Sequence, residues 1–220
     1  NKNYDLVIFM PSVEGGGVEK NLFLISNYLS QNIKKIIFVT SSKKVKKINK
    51  RIIVLNPKFF NTVINSRIIK IILSCLLLFK VLKNNRDAVV FSFQANLYAI
   101  LIAYFFKNKI IIRLNSSPSG WIKSNFKKKI FKKIYSMSNL IIVNSLEFKK
   151  ELLRKFKIRS FCIYNPLDKK NIIKKSNLKI KFKPFKEKNS LKIINIGRLV
   201  DQKDQLTILK SINLIKKKIK

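Results

Sequence analysis

Short β-branched and aromatic runs alternate with longer stretches of helical period along most of this chain. The runs predict strands at Asp5–Met10, Lys35–Thr40, Arg51–Leu55, Ala88–Phe93, Lys109–Leu114, Leu140–Asn144 and Phe161–Tyr164. Between them, apolar residues recur at three- and four-residue spacing and predict helices over about 18–31, 66–83, 95–106, 124–137 and 145–156. Strand runs such as Ala88-Val-Val-Phe-Ser-Phe93 and Ile110-Ile-Ile-Arg-Leu114 are nearly continuous in apolar residues, as expected when both sheet faces are covered. Alternation of this kind builds a parallel sheet. Residues 1–166 are therefore expected to form a doubly wound, Rossmann-like α/β domain.

Beyond the Asn165-Pro166 corner the texture changes. Residues 167–189 are rich in Lys and Asn, contain Pro184 and show no clear period, so a linker is expected there. A new apolar run, Leu191-Lys-Ile-Ile-Asn-Ile196, leads through Gly197-Arg198 into a helical pattern from about Gln202 to Lys216. Residues 190–220 are thus expected to be one β-α unit. A single unit of that kind cannot bury its own apolar face, so it is expected to open a second, truncated α/β domain.

Composition narrows the chemistry. With 220 residues, 47% of them hydrophobic and 26% charged, the chain is not a disordered or collagen-like sequence. Against 10 acidic residues stand 48 Lys and Arg, a net charge of +38 that favours nucleic acid, anionic lipid or nucleotide phosphates without choosing among them. The cations are spread through the chain with an excess of Asn and Ile, so a general drift toward these residues, leaving solvated basic faces, is the preferred account of them. The lack of any His removes Ser-His-Asp and Cys-His nucleophile systems and His-based zinc sites. Cys75 and Cys162 form no C-x-x-C and read as ordinary thiols of a reducing compartment. Ile68–Leu82 is the most apolar stretch, but it is interrupted by Lys70 and Lys80 and falls short of the roughly 20 residues of a membrane span, so a buried or surface-lying helix is expected. The strand-like run from Tyr4 to Met10 leaves no room for a signal peptide, and a cytoplasmic location is expected.

Three of the five glycines stand together at Gly15, Gly16 and Gly17, directly after the first strand. A glycine-rich turn opening a helix presents bare N–H groups to a phosphate or sugar, although a plain tight turn uses glycine for steric reasons alone. Gly15-x-Gly17-x-x-Lys20 has Lys where the dinucleotide fingerprint has its third Gly, and the second strand ends in Thr40-Ser-Ser without a ribose-binding acid. No G-x-x-x-x-G-K-[ST] is present either.

The glycine turn with Val18 and Glu19, the Tyr164-Asn165-Pro166-Leu167-Asp168 corner, and the Ile196-Gly197-Arg198-Leu-Val-Asp-Gln202-Lys203 turn occur in an order and at separations that resemble the family-4 glycosyltransferases. The resemblance covers essentially the whole chain. It implies a GT-B enzyme with two facing Rossmann-like domains that moves a sugar from a nucleotide-sugar, with retention, to a glycan or lipid-linked acceptor in polysaccharide or lipopolysaccharide assembly. By that resemblance Arg198 and Lys203 hold the donor diphosphate, and Gly15, Gly16 and Gly17 line the cleft near the donor phosphates and the acceptor. Glu19 reads as structural, since a carboxylate in a first helical turn satisfies free N–H groups. No D-x-D occurs, which fits a metal-independent, cofactor-free reaction in which fixed cations stabilise the leaving diphosphate.

Two departures qualify the implication. Many members carry a His on the acceptor side. In its place the loops here offer Ser92, Gln94 and Asn96, or Arg113, Asn115, Ser116 and Ser117, of which Asn115 and Ser116 are the acceptor-side candidates. The family's Glu-x7-Glu pair would fall beyond Lys220, and no catalytic residue is assigned. The 220 residues alone are accordingly expected to be inactive. Lys127, Lys128, Lys129, Lys132 and Lys133 surround Phe126, Ile130, Phe131 and Ile134 in a basic amphipathic segment, which either packs on the sheet or rests on the anionic inner face of a membrane. No aromatic interleaving marks a specific nucleic-acid site. The alternative function is a non-enzymatic polyanion-binding protein, for nucleic acid or an anionic membrane surface, driven by net charge.

Overall fold

The computed structural model describes residues 5–43, 45, 47–57, 66–120, 122, 124–178, 192–197 and 199–218. Contacts divide the chain into two units, Asn1–Lys169 and Lys170–Lys220.

In the first unit the continuous apolar runs become seven strands: β1 (Leu6–Phe9), β2 (Ile36–Val39), β3 (Ile52–Leu55), β4 (Val89–Ser92), β5 (Ile110–Leu114), β6 (Leu140–Val143) and β7 (Phe161–Cys162). They form one sheet in the order β3-β2-β1-β4-β5-β6-β7. Every pairing is parallel; Ile8 of β1, for example, lies between Phe38 of β2 and Phe91 of β4. Five helices connect the strands: α1 (Gly17–Leu29), α2 (Arg67–Asn84), α3 (Asn96–Phe105), α4 (Asn125–Tyr135) and α5 (Leu146–Glu151), the last continuing as a π-helical turn over Leu152–Phe156.

Because side chains alternate across a strand, each strand feeds two cores. Val7, Phe9, Val39, Val90, Ile112 and Val143 pack with Leu78 of α2, Ile100 of α3, Phe131 of α4 and Phe148 of α5. Leu6, Ile8, Met10, Phe38, Phe91 and Phe93 pack on the other face with Leu22 of α1. Val7, Ile8 and Phe9 are all fully buried, so this strand had to be apolar at every position. Each such side chain contributes about 1.5–3 kcal/mol relative to exposure.

The second unit departs from its sequence pattern in two places. Residues 169–176, read above as part of a linker, form a short helix, α6 (Lys169–Ser176), with no buried residue. Eight residues with a single Ile172-Ile173 pair give too little periodicity to announce a helix. The expected strand at Leu191–Ile196 is not formed over the described residues 192–196. A strand requires a partner for its N–H and C=O groups, and the described elements of this unit are only α6, a 3-10 turn at Asp201–Lys203 and α7 (Gln205–Lys218). Ile196 is left 92% exposed.

Candidate functional site

Since all strands run the same way, every strand-to-helix turn lies along one rim of the sheet. The winding reverses between β1 and β4: α1 follows β1 onto one face, whereas α3 follows β4 onto the other. Ligands of open parallel sheets bind in the crevice at such a reversal.

The turn after β1 borders that crevice. Gly15 has φ +89°, a conformation that side chains disfavour. Gly16 is the N-cap of α1, in extended conformation and with no side-chain cap. A Cβ added at Gly17 would meet nothing within 4 Å, so internal packing does not demand glycine there. No side chain caps the start of α1 and no atom stands where a Cβ of Gly15 or Gly17 would be, so the positive end of the helix can be approached closely there. Gly16 is different. A Cβ on it would come within 2.7 Å of Glu19 Oε2. Glu19 is buried and its Oε1 accepts the Glu14 N–H at 3.2 Å, closing the loop from beneath. It is a structural carboxylate, in agreement with its place in the first turn.

A polar floor holds this open turn. Lys70 of α2 pairs with Glu14 Oε1 at 2.9 Å, and that contact holds the Glu14 carboxyl below its ordinary range. Thr40 and Ser74 both donate to the Pro11 carbonyl at 3.4 Å. Ser41 and Ser74 share a 2.6 Å hydrogen bond, and the Val13 N–H donates to Ser42 Oγ at 2.8 Å.

Across the crevice, β4 and β5 end in a buried network. Ser92 Oγ donates to Asn96 Oδ1 at 2.6 Å, and Asn96 Nδ2 donates to the Arg113 carbonyl at 3.1 Å. Ala95, between them, is a non-glycine residue in the left-handed region at φ 53°. Arg113 is only 1% exposed; its Nη2 donates to the Ile163 carbonyl at 3.0 Å and to Asn165 Oδ1 at 2.9 Å, while Nε has no partner. Burial pushes its guanidinium pKa down, opposed in part by Cys162. Asn115 Nδ2 donates to the Phe93 carbonyl at 3.0 Å, and Ser116 is exposed. Ser92, Asn96 and Arg113, offered by the sequence as acceptor-side groups, are thus buried, with Ser92, Asn96 and the Arg113 Nη2 hydrogen-bonded inside the fold, leaving Ser116 and the half-buried Gln94 and Asn115 toward the rim. The Arg113–Asn165 contact also fixes the Asn165-Pro166 corner to β5, a tie no sequence signal announced.

Sequence reasoning missed a further group. Ser119 donates to Glu151, which also takes Lys155 Nζ at 2.9 Å. Hydrogen bonds from Ser119, Ser117 and Lys155 lower the Glu151 pKa to about 2. On α4, Lys127, Lys129, Lys132 and Lys133 are exposed and Lys128 is half-buried, while Phe131 and Tyr135 pack inward.

In the second unit Arg198 lies outside the described residues. Lys203 is exposed at the end of the 3-10 turn before α7, and its Cγ would stand 3.5 Å from a Cβ on Gly197. A Cβ there would also come to 3.3 Å from Gln205 Nε2, so Gly197 is packed beneath the Lys203 and Gln205 side chains.

No protein-family model matches the sequence. No curated protein matches it either. Solved structures do. A glycosyltransferase from Rickettsia africae superposes with a TM-score of 0.58 at 18% identity, over 81% of this chain and 47% of that one. Anabaena HepE, solved with UDP and glucose, superposes with a TM-score of 0.52 at 12% identity, over 74% of this chain and 45% of that one. The fold is of the GT-B type. The same HepE has been solved with UDP-glucose, and that structure superposes with a TM-score of 0.51 at 12% identity, over 74% of this chain and 44% of that one. This chain spans less than half the length of each of these GT-B structures.

Proposed function

We propose that the chain is part of a retaining, family-4-like glycosyltransferase that moves a sugar from a nucleotide-sugar to a glycan or lipid-linked acceptor in polysaccharide or lipopolysaccharide assembly. The observation that carries the reading is the uncapped, glycine-lined start of α1 at the winding reversal of a GT-B-type sheet. Its support is that structures of this fold hold UDP and UDP-glucose. In this reading the bare backbone around Gly15, Gly16 and Gly17 lets the donor phosphates and the acceptor approach closely. Arg198 and Lys203 grip the diphosphate, Arg as a planar fork and Lys as a point charge. Departure of a nucleoside diphosphate builds up negative charge on its terminal oxygens, and fixed cations stabilise that charge without reorganising. Asn115 and Ser116 meet acceptor hydroxyls. A cytoplasmic enzyme resting on the inner membrane face, through cations that include Lys127, Lys128, Lys129, Lys132 and Lys133, suits a lipid-linked acceptor.

The first test is genomic. An open frame running past Lys220 for about 150 residues, the span of another Rossmann-like domain, and containing a Glu-x7-Glu pair is expected. A stop codon there removes the transferase reading and leaves polyanion binding. The second test is kinetic, on that longer chain: Arg198→Ala and Lys203→Ala should each lower kcat with a nucleotide-sugar about tenfold or more. Unchanged kcat in both would refute their assignment, and turnover by the 220 residues alone would refute the expectation that they are inactive.

A further inference from the structure

The outer face of the helix layer on one side of the sheet is apolar where it should be polar. α2 turns Ser74, Leu78, Val81 and Leu82 inward, yet a second stripe of Ile68, Ile72 and Leu76 faces solvent at four-residue spacing, with Ile68 70% and Leu76 63% exposed. α3 does the same: Ala99, Ile100 and Ala103 are buried, while Tyr98, Leu101 and Phe105 point out. The two stripes join where Phe79 stacks on Phe105 at 5.8 Å between ring centroids. Between α2 and α3 lies an apolar groove of about 420 Å³. A surface helix ordinarily carries one apolar stripe, so two adjacent helices with a second stripe each are an interaction face.

Charge selects the partner. α2, α3 and α4 pack on the same face of the sheet and contain no Asp or Glu; Lys70 is engaged by Glu14, but Arg67, Lys80 and Lys83 of α2 and Lys127, Lys129, Lys132 and Lys133 of α4 are exposed. A second copy of the chain would bring those cations against themselves. An anionic lipid surface satisfies the cations and the apolar stripes together. Among the described residues no helix is long and apolar enough to cross a membrane, so such a contact lies in the interface plane.

We propose that this α2–α3 ridge inserts among the headgroups of an anionic bilayer, with the exposed cations of α2 (Arg67, Lys80, Lys83) and α4 on the lipid phosphates. The inference deepens the membrane part of the reading above and rests on it, moving the main contact from the α4 lysines to the ridge.

The test is co-sedimentation with phosphatidylcholine vesicles made with and without phosphatidylglycerol. The chain should bind only the anionic vesicles. The variant Ile72→Ser/Leu76→Ser/Phe105→Ser should lose about tenfold or more in partition with its thermal midpoint unchanged, because all three side chains are exposed. Should that variant melt early, Leu76→Ser alone carries the comparison. Undiminished binding by the ridge variants overturns the ridge, and if neutralising Lys127, Lys129, Lys132 and Lys133 abolishes binding that those variants leave intact, the contact returns to α4. No binding of the unaltered chain to anionic vesicles overturns the membrane reading as a whole. A concentration-dependent dimer dissolved by the ridge substitutions overturns the lipid as occupant in favour of a second copy.

Discussion

Gly17 opens α1, its φ is not positive, and a methyl group on its Cα would touch nothing within 4 Å. Alanine at such a position restricts the unfolded chain without straining the folded one and favours the helix, which together stabilise by about 0.5 kcal/mol. Two residues earlier the sign reverses. Gly15 sits at φ +89°, where a Cβ costs about 1–2 kcal/mol, although there is space for it. With a urea slope of about 2 kcal/mol per molar, Gly17→Ala should raise the unfolding midpoint by about 0.25 M and Gly15→Ala should lower it by about 0.5–1 M. Equilibrium unfolding followed by far-UV circular dichroism separates these shifts. A lower midpoint for Gly17→Ala would refute the account of an open, unstrained helix start. A higher one would mean that Gly17 does not serve the fold, leaving close approach of a ligand as its reason.

Three further outcomes follow from the same geometry. Asn108 is buried and its Nδ2 donates to the carbonyls of Asn85, Arg86 and Ala88 at 3.0, 2.8 and 2.9 Å, so Asn108→Ala should cost about 2–3 kcal/mol; a loss below about 0.5 kcal/mol in thermal unfolding would contradict it. The Glu151 carboxyl, lowered to about 2 by Ser119, Ser117 and Lys155, contributes its stabilisation in full above the ordinary 4.5 and loses it as pH falls toward about 2. Ser119→Ala should move that titration upward in a carboxyl NMR experiment and weaken the fold by about 1 kcal/mol at neutral pH, and an unmoved titration would sink the assignment. Burial raises the Cys75 thiol to about 11, so Ellman's reagent at pH 8 should label it far more slowly in the folded chain than in urea. Equal rates would show that the thiol is not protected.

The strands were legible because burial on both faces leaves a run such as Leu6–Phe9 no polar position, and the five helices between them because each turns one stripe inward. The glycine turn and the structural part of Glu19 were legible for a related reason: both follow from where a strand meets a helix. The polar rim was not. Ser92, Asn96 and Arg113 look from the sequence like groups waiting for a ligand, but a buried polar atom takes whatever partner the fold supplies, and the Arg113 partners lie some fifty residues away. Ser119 and Glu151 are joined in the same way across a separation of 32 residues. The described residues 192–196 are not a strand for the opposite reason: their composition suits a sheet, but composition does not provide a neighbour.

The edge formed by β7 has a consequence for how the protein behaves in a crowded solution. An unpaired edge of a sheet is a template on which another chain can add its own backbone, and this sheet is apolar enough for such an addition to be lasting. β7 offers only two residues, Phe161 and Cys162, to an incoming strand. Lateral growth from that side would therefore gain few backbone hydrogen bonds, and brevity guards this rim against fibre-like association.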